Sequence, residues 1–393
     1  VGTFDTKGEE LAYVAERIHD AGAEPLTVDV SSKPSSAAAD VSNTEVAKHH
    51  RSQPDFLGKT DDRGKAVTLM SEALGEFLLS RDDLGGVVGL GGSGNTALVT
   101  AAMRRLPVGV PKIMVSTVAS GDVAPYVGPN DIAMMYSVTD VAGINRISRA
   151  VLGNAAHAIA GMVANPIPEA AESRPTLGMT MFGVTTPCVT AVRKALWEEF
   201  DPLVFHATGT GGQSMEKLID SGMISHVIDI TTTEVCDLHM GGVMSAGEDR
   251  MGAIIRRGIP YVGSAGALDM VNFGAKPTVP EQYKDRNLYV HNANVTLMRT
   301  TPEENKAMGE WIGNKLNQMT GPVRFLLPEK GVSLIDAEGQ PFHDPEADEA
   351  LFSAIEKTVK QTDVRKVERL PYNVNDEEFA DALVAAFREV HAV

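Results

Sequence analysis

The chain has 393 residues, enough for about two or three domains. Hydrophobic residues make up 43% and aromatic residues only 5%, which favours helices packed on a parallel sheet over an all-β sandwich. The formal net charge of −17 argues against nucleic-acid binding, because an acidic surface repels a phosphate backbone.

The cysteine content and the hydropathy pattern both indicate a cytoplasmic protein. The two cysteines, Cys188 and Cys236, form no CxxC pair, which favours a reducing compartment. No apolar run is long enough to span a membrane, and no signal peptide is recognisable. We therefore expect a cytoplasmic location and no membrane partner.

Short β-branched runs alternate with amphipathic segments along the chain, the pattern of βαβ units. In chain order, the first half reads as a helix over 8–21, the strand "PLTVDV", and a long loop over 31–61 with at most one short helix. A helix in "DDRGKAVTLMSEALGEFLLSRDD", the strand "GGVVGL" with its glycine loop, a strand and loop in "PKIMVSTVASGD", and a long final helix in "TDVAGINRISRAVLGNAAHAIAGMV" follow. Such alternation predicts the α/β class with parallel sheets.

A similar pattern starts again after the proline-rich stretch "NPIPEAAESRP". We therefore predict an N-terminal α/β subdomain over 1–165, a linker over 166–175, and a C-terminal α/β subdomain with additional helices over 176–393. Both are expected to be Rossmann-like, with similar topology, and to face each other across a cleft. Two explanations of the similarity between the halves stay open: duplication of one unit, or features that βαβ folds share in general. Near the end of the chain, Thr301 with Glu304 and Asn375 are predicted helix caps.

Glycines, hydroxyls and one lysine follow three predicted strands of the first half. In a parallel sheet these strand ends lie at one edge, where free amides at helix starts bind phosphate. The predicted nucleotide-binding residues are Thr3, Asp5, Thr6, Lys7, Gly91, Gly92, Ser93, Gly94, Asn95, Thr96, Ser116, Thr117, Ser120, Gly121 and Asp122.

The motif "GLGGSGNT" is neither a Walker A motif nor a GxGxxG fingerprint. A turn that merely needs glycine is the alternative interpretation. Lys7 is a candidate for the positive charge that a phosphate requires. Asp5 or Asp122 are candidates for holding Mg²⁺ with the nucleotide, and ordinary helix caps are the alternative.

The second half carries a matching set of loops, which suggests a second anion or substrate site. Its predicted residues are Thr185, Thr186, Gly209, Gly211, Gly212, Gln213 and Ser214. The segment "EVCDLH" offers possible metal ligands but no zinc spacing, and the metal stays unknown. Cys188 is either a thiol of lowered pKa at a helix start or a small buried residue. His206 is a candidate for test, and no catalytic residue is identified.

Five long motifs in order, "GTFDTKGEEL", "GLGGSGNTALVTAAMRRLPVGVPKIMVSTVASGD", "HATGTGGQSMEKLI", "HNANVTLMRTTPEEN" and "GVSLIDAEGQPFHDPEADEALF", resemble one family. It is the family of the ATP-binding domain of the tomato mosaic virus resistance protein, which includes bacterial relatives. The resemblance implies two Rossmann-like subdomains, self-association such as a dimer, and ATP binding at the "GTFDTK", "GGSGNT" and "STVASGD" residues.

Three functional hypotheses follow. The first is a cytoplasmic ATP-binding protein, with an enzyme acting on a small anionic metabolite in the cleft as one form of it. The second is a non-nucleotide hydrolase or isomerase whose glycine loops hold a phosphorylated or carboxylated substrate. The third is an interaction module regulated by nucleotide.

Overall fold

A computed structural model describes residues 1–33, 38–59, 62–168 and 174–391. Residues 169–173 of the predicted linker lie outside the described residues. The chain divides into two compact units, residues 1–169 and 170–393. Each unit has its own hydrophobic core and is described separately.

The first unit is built around a parallel sheet. Its strands are β1 (Val87–Gly91), β2 (Lys112–Ser116) and β3 (Ala133–Tyr136), and its helices are α1 (Phe4–Asp20), α2 (Asn43–Ala47), α3 (Arg63–Leu79), α4 (Ser93–Met103), α5 (Ala124–Val127) and α6 (Arg146–Ala164). Apolar side chains of α3 and α4 pack together in one core cluster. The short α2 lies in the predicted long loop, as expected.

Single parallel bridges extend this sheet beyond β1. Gly2 pairs with Asp29 and Val28 pairs with Val41, while the backbone nitrogen of Val1 donates to the carbonyl of Val88 at 2.9 Å. Counted along the chain, the segments at Gly2, Val28 and Val41 are strands one to three, and β1, β2 and β3 are strands four to six. In space these strands follow the order 3-2-1-4-5-6. This is the order of dinucleotide-binding folds, and its topological switch point lies between the first strand and β1.

The second unit contains six parallel strands and a small antiparallel sheet. The parallel strands are β4 (Thr176–Met181), β5 (Asp201–His206), β6 (His226–Thr231), β7 (Tyr261–Gly266), β11 (Val323–Pro328) and β12 (Arg365–Leu370), in the order β5-β4-β6-β7-β11-β12. The antiparallel sheet is formed by β8 (Met270–Phe273), β9 (Leu288–Asn292) and β10 (Val295–Arg299). The prediction of Rossmann-like parallel sheets is confirmed. The strand orders of the two units differ, because in the second unit the third strand, β6, lies next to the first strand, β4, on the side opposite to the second strand, β5.

The helices of the second unit are α7 (Thr186–Leu196), α8 (Thr210–Asp220), α9 (Glu234–Met240), α10 (Gly252–Arg257), α11 (Pro302–Gln318), α12 (Pro345–Thr358) and α13 (Glu377–His391). Thr301 and Glu304 form the predicted capping box of α11. The cap predicted for the last helix is wrong, because Asn375 accepts a hydrogen bond from the amide of Cys188 in α7 instead. Within the described ranges, no helix combines the length and the apolar character that crossing a bilayer requires.

An aromatic cluster at the amino end of β6 generates a pH prediction. His226 and His391 have ring centroids 4.6 Å apart. Burial, and then the charge of His391, lower the pKa of His226. Protonation is therefore easier in the unfolded chain, and stability present at neutral pH is lost as the pH falls. We expect His226→Gln to lose less free energy of unfolding between pH 7.5 and 5.5 than the parent protein, measured by urea unfolding.

The matched control is His157→Gln, which removes an exposed imidazole from α6. It should show the same pH dependence as the parent protein. An equal pH dependence in the His226 variant and the parent would contradict the prediction.

Candidate functional site

Three predicted loops of the first unit meet at the switch point of its sheet. A Cβ added to Gly2 would lie 3.4 Å from Nδ2 of Asn95, and the amide of Thr117 donates to the carbonyl of Gly91 at 3.3 Å. The segments "GTFDTK", "GGSGNT" and "STVASGD" therefore lie together at the carboxyl edge. That they bind a ligand stays a prediction.

The backbone amides at the start of α1 already have acceptors inside the unit. The amide of Phe4 donates to Asp29 at 3.1 Å, and that of Asp5 donates to the Ser31 hydroxyl at 3.3 Å. The next two amides donate to the carbonyl of Thr3 at 3.2 and 2.8 Å. The "GTFDTK" loop therefore has no amide of residues 4–7 left for a phosphate.

The side chains of this loop differ in their availability. The hydroxyls of Thr3 and Thr6 are 3.0 Å apart, and Lys7 donates from Nζ to the carbonyl of Val141. Asp5 is exposed. The predicted phosphate-binding lysine is therefore engaged by the backbone of a neighbouring loop.

The start of α4 is open, in contrast to that of α1. Among the described residues, the backbone amides from Gly92 to Asn95 have no hydrogen-bond acceptor, and Ser93 and Gly94 are exposed. Gly91 has φ of 149°, and a Cβ on it would lie 2.9 Å from that of Asn95. Asn95 donates to the carbonyl of Leu90, and its buried side-chain oxygen has no partner within the described ranges. This loop presents unpaired donors at a helix start, where anions bind.

The third loop is partly structural. The hydroxyls of Ser116 and Thr96 are buried and lie 2.6 Å apart, so they tie β2 to α4. The Thr117 hydroxyl lies 3.8 Å from the position of a Cβ on Gly92. Ser116 and Thr96 thus hold two loops together, while Thr117 lies closest to the open turn.

The predicted magnesium ligands do not form a cluster. Asp122 accepts a hydrogen bond from the amide of Ala124, the first residue of α5, at 3.0 Å, although Val123 holds the cap position of that helix. Ser120 and Gly121 beside it are exposed. In the part of the chain that the structure describes, no group of three or more His, Cys, Asp or Glu side chains is arranged to hold a metal ion. A magnesium ion held with a nucleotide stays a prediction.

Sequence reasoning missed one cation at this edge. Arg63, the first residue of α3, has its Nη2 atom 3.9 Å from the position of a Cβ on Gly94. Its guanidinium is exposed and has no hydrogen bond or ion pair with the described residues. The only sequence signal was an arginine directly after a capping aspartate, Asp62. Arg63, rather than Lys7, lies at the open glycine loop.

The glycine loop of the second unit is occupied by the protein itself. The amides of Gly209 and Gly212 donate to Oε1 of Glu234 at 2.8 and 3.0 Å, and Nε of Arg250 donates to its Oε2 at 2.8 Å. A Cβ on Gly212 would overlap this carboxylate. The prediction that these two amides bind a second anion is corrected, because an internal carboxylate takes that place.

The remaining residues predicted for this second loop also have internal roles. A Cβ on Gly211 would overlap the carbonyl of His206. Gln213 donates to the carbonyl of Ala246 at 3.3 Å, and Ser214 donates to the carbonyl of Thr210 at 2.7 Å. His206 itself is exposed beside the ring of Phe182, with centroids 5.3 Å apart.

Hydroxyls also close the loop after β4. The hydroxyls of Thr185 and Thr231 lie 2.8 Å apart, and the hydroxyl of Thr186 donates to the carbonyl of Phe182 at 3.2 Å. Burial raises the pKa of the Cys188 thiol to about 12, so the interpretation as a buried residue is correct and a reactive thiolate is not. The predicted substrate-binding threonines are thus used in local structure.

Buried side chains of the segment "EVCDLH" have partners inside the unit. Asp237 accepts hydrogen bonds from the amides of Asn272 and Met244 at 2.7 and 2.8 Å, and burial raises its pKa to about 7. Burial also raises the pKa of the Cys236 thiol well above its ordinary value. Asp237 thus holds the turn after α9, and the Cys236 thiol donates to the carbonyl of Leu268 at 3.4 Å.

A buried arginine lies under the occupied loop. Besides Glu234, Arg250 contacts Asp229 at 2.7 Å and Glu216 at 3.3 Å, and all four side chains are almost completely buried. Burial raises the pKa of Glu216 and of Glu234, and the positive charge of Arg250 opposes this shift. The guanidinium therefore supplies a counter-charge to the carboxylate in the loop.

We expect Glu234→Ala to destabilise the second unit strongly. It leaves two loop amides without their acceptor and removes one of the three carboxylates that contact Arg250, and breaking a buried pair costs about 3 to 5 kcal/mol. Glu234→Gln should cost less, since its carbonyl oxygen still accepts from the loop. The measurement is the free energy of unfolding in urea.

The control for this series is Glu199→Ala, which breaks an exposed pair with Arg388 and should cost no more than about 1 kcal/mol. A Glu234→Ala variant as stable as this control would show that the carboxylate does not hold the loop.

Comparison with known proteins places both units in one family. Residues 1–168 match the N-terminal domain, and residues 174–391 the C-terminal domain, of the family described as uncharacterised protein family UPF0261. A UPF0261 protein of Rhizobium meliloti is 59% identical over 390 residues, covering 99% of this chain and 98% of the relative. One of Clostridium tetani is 48% identical, with 98% and 96% coverage.

A plant protein shares the same region. The tomato ToMV resistance protein Tm-1 is 44% identical over 415 residues, which cover 99% of this chain and 55% of the tomato protein. With both domains matched and full-length relatives above 30% identity, this chain belongs to the UPF0261 family.

Proposed function

We propose that the first unit binds ATP, with Mg²⁺, at the carboxyl edge of its sheet. One observation carries the proposal: the amides from Gly92 to Asn95 have no acceptor among the described residues and lie at the topological switch point, where Ser93 and Gly94 are exposed. Ligands of open α/β sheets bind at such a point, and a helix start favours phosphate. The resemblance of "GTFDTK", "GGSGNT" and "STVASGD" to an ATP-binding family supports the same assignment.

A carboxylated or phosphorylated metabolite is the second candidate. The specific observation in its favour is Glu234, which shows that a glycine loop of this chain holds a carboxylate on two amides. A metabolite screen by thermal shift separates the candidates. Stabilisation by sugar phosphates or small carboxylic acids, without any by ATP, favours an enzyme of the hydrolase or isomerase type.

Self-association and a cytoplasmic location belong to the same proposal. Both cysteines are free and buried, in keeping with a reducing compartment. Light scattering with and without ATP measures the oligomeric state. Slow or absent phosphate release combined with ATP-dependent capture of a protein partner points to an interaction module instead of an enzyme.

We expect Ser93→Asp to abolish ATP binding. The new carboxylate lies at the first position of α4, where it competes with phosphate for the free amides and repels it. Isothermal calorimetry with ATP and Mg²⁺ should show at least a tenfold weaker affinity.

Ser93→Ala is the control, since it removes the hydroxyl but leaves the amides open, and it should keep most of the affinity. Absence of both heat and thermal shift for the parent protein at millimolar ATP rejects nucleotide binding.

A further inference from the structure

Two helices of this chain start from comparable glycine loops. α4 follows Gly92 and α8 follows Gly209; both helices have 11 residues and both glycines occupy the cap position. At α8, the cap amide and the amide three residues later hold one carboxylate oxygen of Glu234. The chain thus contains one loop of this type with its anion in place.

The second component of the occupied loop is an arginine. Arg250 holds the other oxygen of Glu234, so two amides and a guanidinium surround one anion. At α4, the amides of Gly92 and Asn95 hold the corresponding positions and have no acceptor among the described residues. Arg63 lies beside this loop, and its guanidinium has no hydrogen bond or ion pair with the described residues. The first unit therefore has the donors of the arrangement without an internal carboxylate.

From this comparison we infer that Arg63 and the four amides from Gly92 to Asn95 hold a terminal phosphoryl group of a nucleotide, in the place that Glu234 takes in the second unit. The inference rests on the proposed function and names a residue that it did not include. A phosphoryl group offers three peripheral oxygens, and four amides with a planar guanidinium fork can bind all three. A carboxylate offers only two oxygens. In Glu234 one oxygen accepts from two amides and the other accepts from Nε of Arg250.

Two further observations fit a nucleotide at this place. Gly94 has no side chain beside Arg63, whose Nη2 atom lies 3.9 Å from the position that a Cβ would take. The buried side-chain oxygen of Asn95 is an acceptor without a partner in the described part of the chain. A hydroxyl or amine donor of the ligand would satisfy it. A nucleoside carries such donors, and fully ionised tripolyphosphate does not.

The experiment compares ATP, AMP and inorganic tripolyphosphate by calorimetry on the full chain. We expect Arg63→Ala to weaken ATP and tripolyphosphate binding at least tenfold and to change AMP binding little. Arg63→Lys should recover part of the affinity, because it restores the charge without the fork. Lys65→Ala is the matched control, since it removes the same charge from an exposed position one half-turn along α3. It should change the affinities less than twofold.

The outcomes separate the inference from the proposed function. If the parent protein binds ATP and Arg63→Ala binds it equally well, or if Lys65→Ala weakens it as much, the role of Arg63 is overturned while nucleotide binding stands. If the parent protein binds neither ATP nor tripolyphosphate, the proposed function fails and the inference fails with it. Circular dichroism melting of each variant tests whether a loss of affinity reflects unfolding, and we expect Arg63→Ala to melt like the parent protein, because the exposed Arg63 side chain makes no hydrogen bond or ion pair with the described residues.

Discussion

Parallel pairing of strands brings every strand's carboxyl end to the same edge of a sheet, and the helix that follows starts there with unpaired amides. In the first unit, bridges at Gly2 and Val28 and the contact of Val1 with Val88 place the first strand beside β1. The chain reverses direction across the sheet between these two strands. Helices α1 and α4 consequently begin side by side, and each must find acceptors for its first amides.

The chain solves this problem in different ways at different helix starts. At α1, Asp29 and Ser31 accept from the first two amides, and at α8 the carboxylate of Glu234 reaches in from α9. At α4 no described side chain does so. A glycine loop after a strand is therefore not by itself a binding site in this molecule; the difference lies in whether another segment supplies an acceptor.

Local sequence patterns were sufficient for the fold class and for the edge at which the first three loops meet. Alternating β-branched and amphipathic segments predict βαβ units, and a parallel sheet then dictates that strand ends such as Gly91 and Ser116 share an edge. Whether each amide has a hydrogen-bond acceptor inside the protein could not be predicted from the sequence. The acceptor of Phe4 and that of Gly209 each lie 25 residues away along the chain, and only tertiary packing brings them in. Arg63 was missed for the same reason, since its neighbour Gly94 belongs to another helix.

The contact between Gly212 and Glu234 has a consequence for how the family can diverge. Any Cβ at position 212 would overlap the carboxylate, and any shortening of residue 234 would leave a void beside that glycine and remove one of the three carboxylates that contact Arg250. The residues at positions 212 and 234 therefore depend on each other both sterically and electrostatically. In an alignment of homologues they should covary, with a larger residue replacing the glycine only in sequences that have also given up the glutamate.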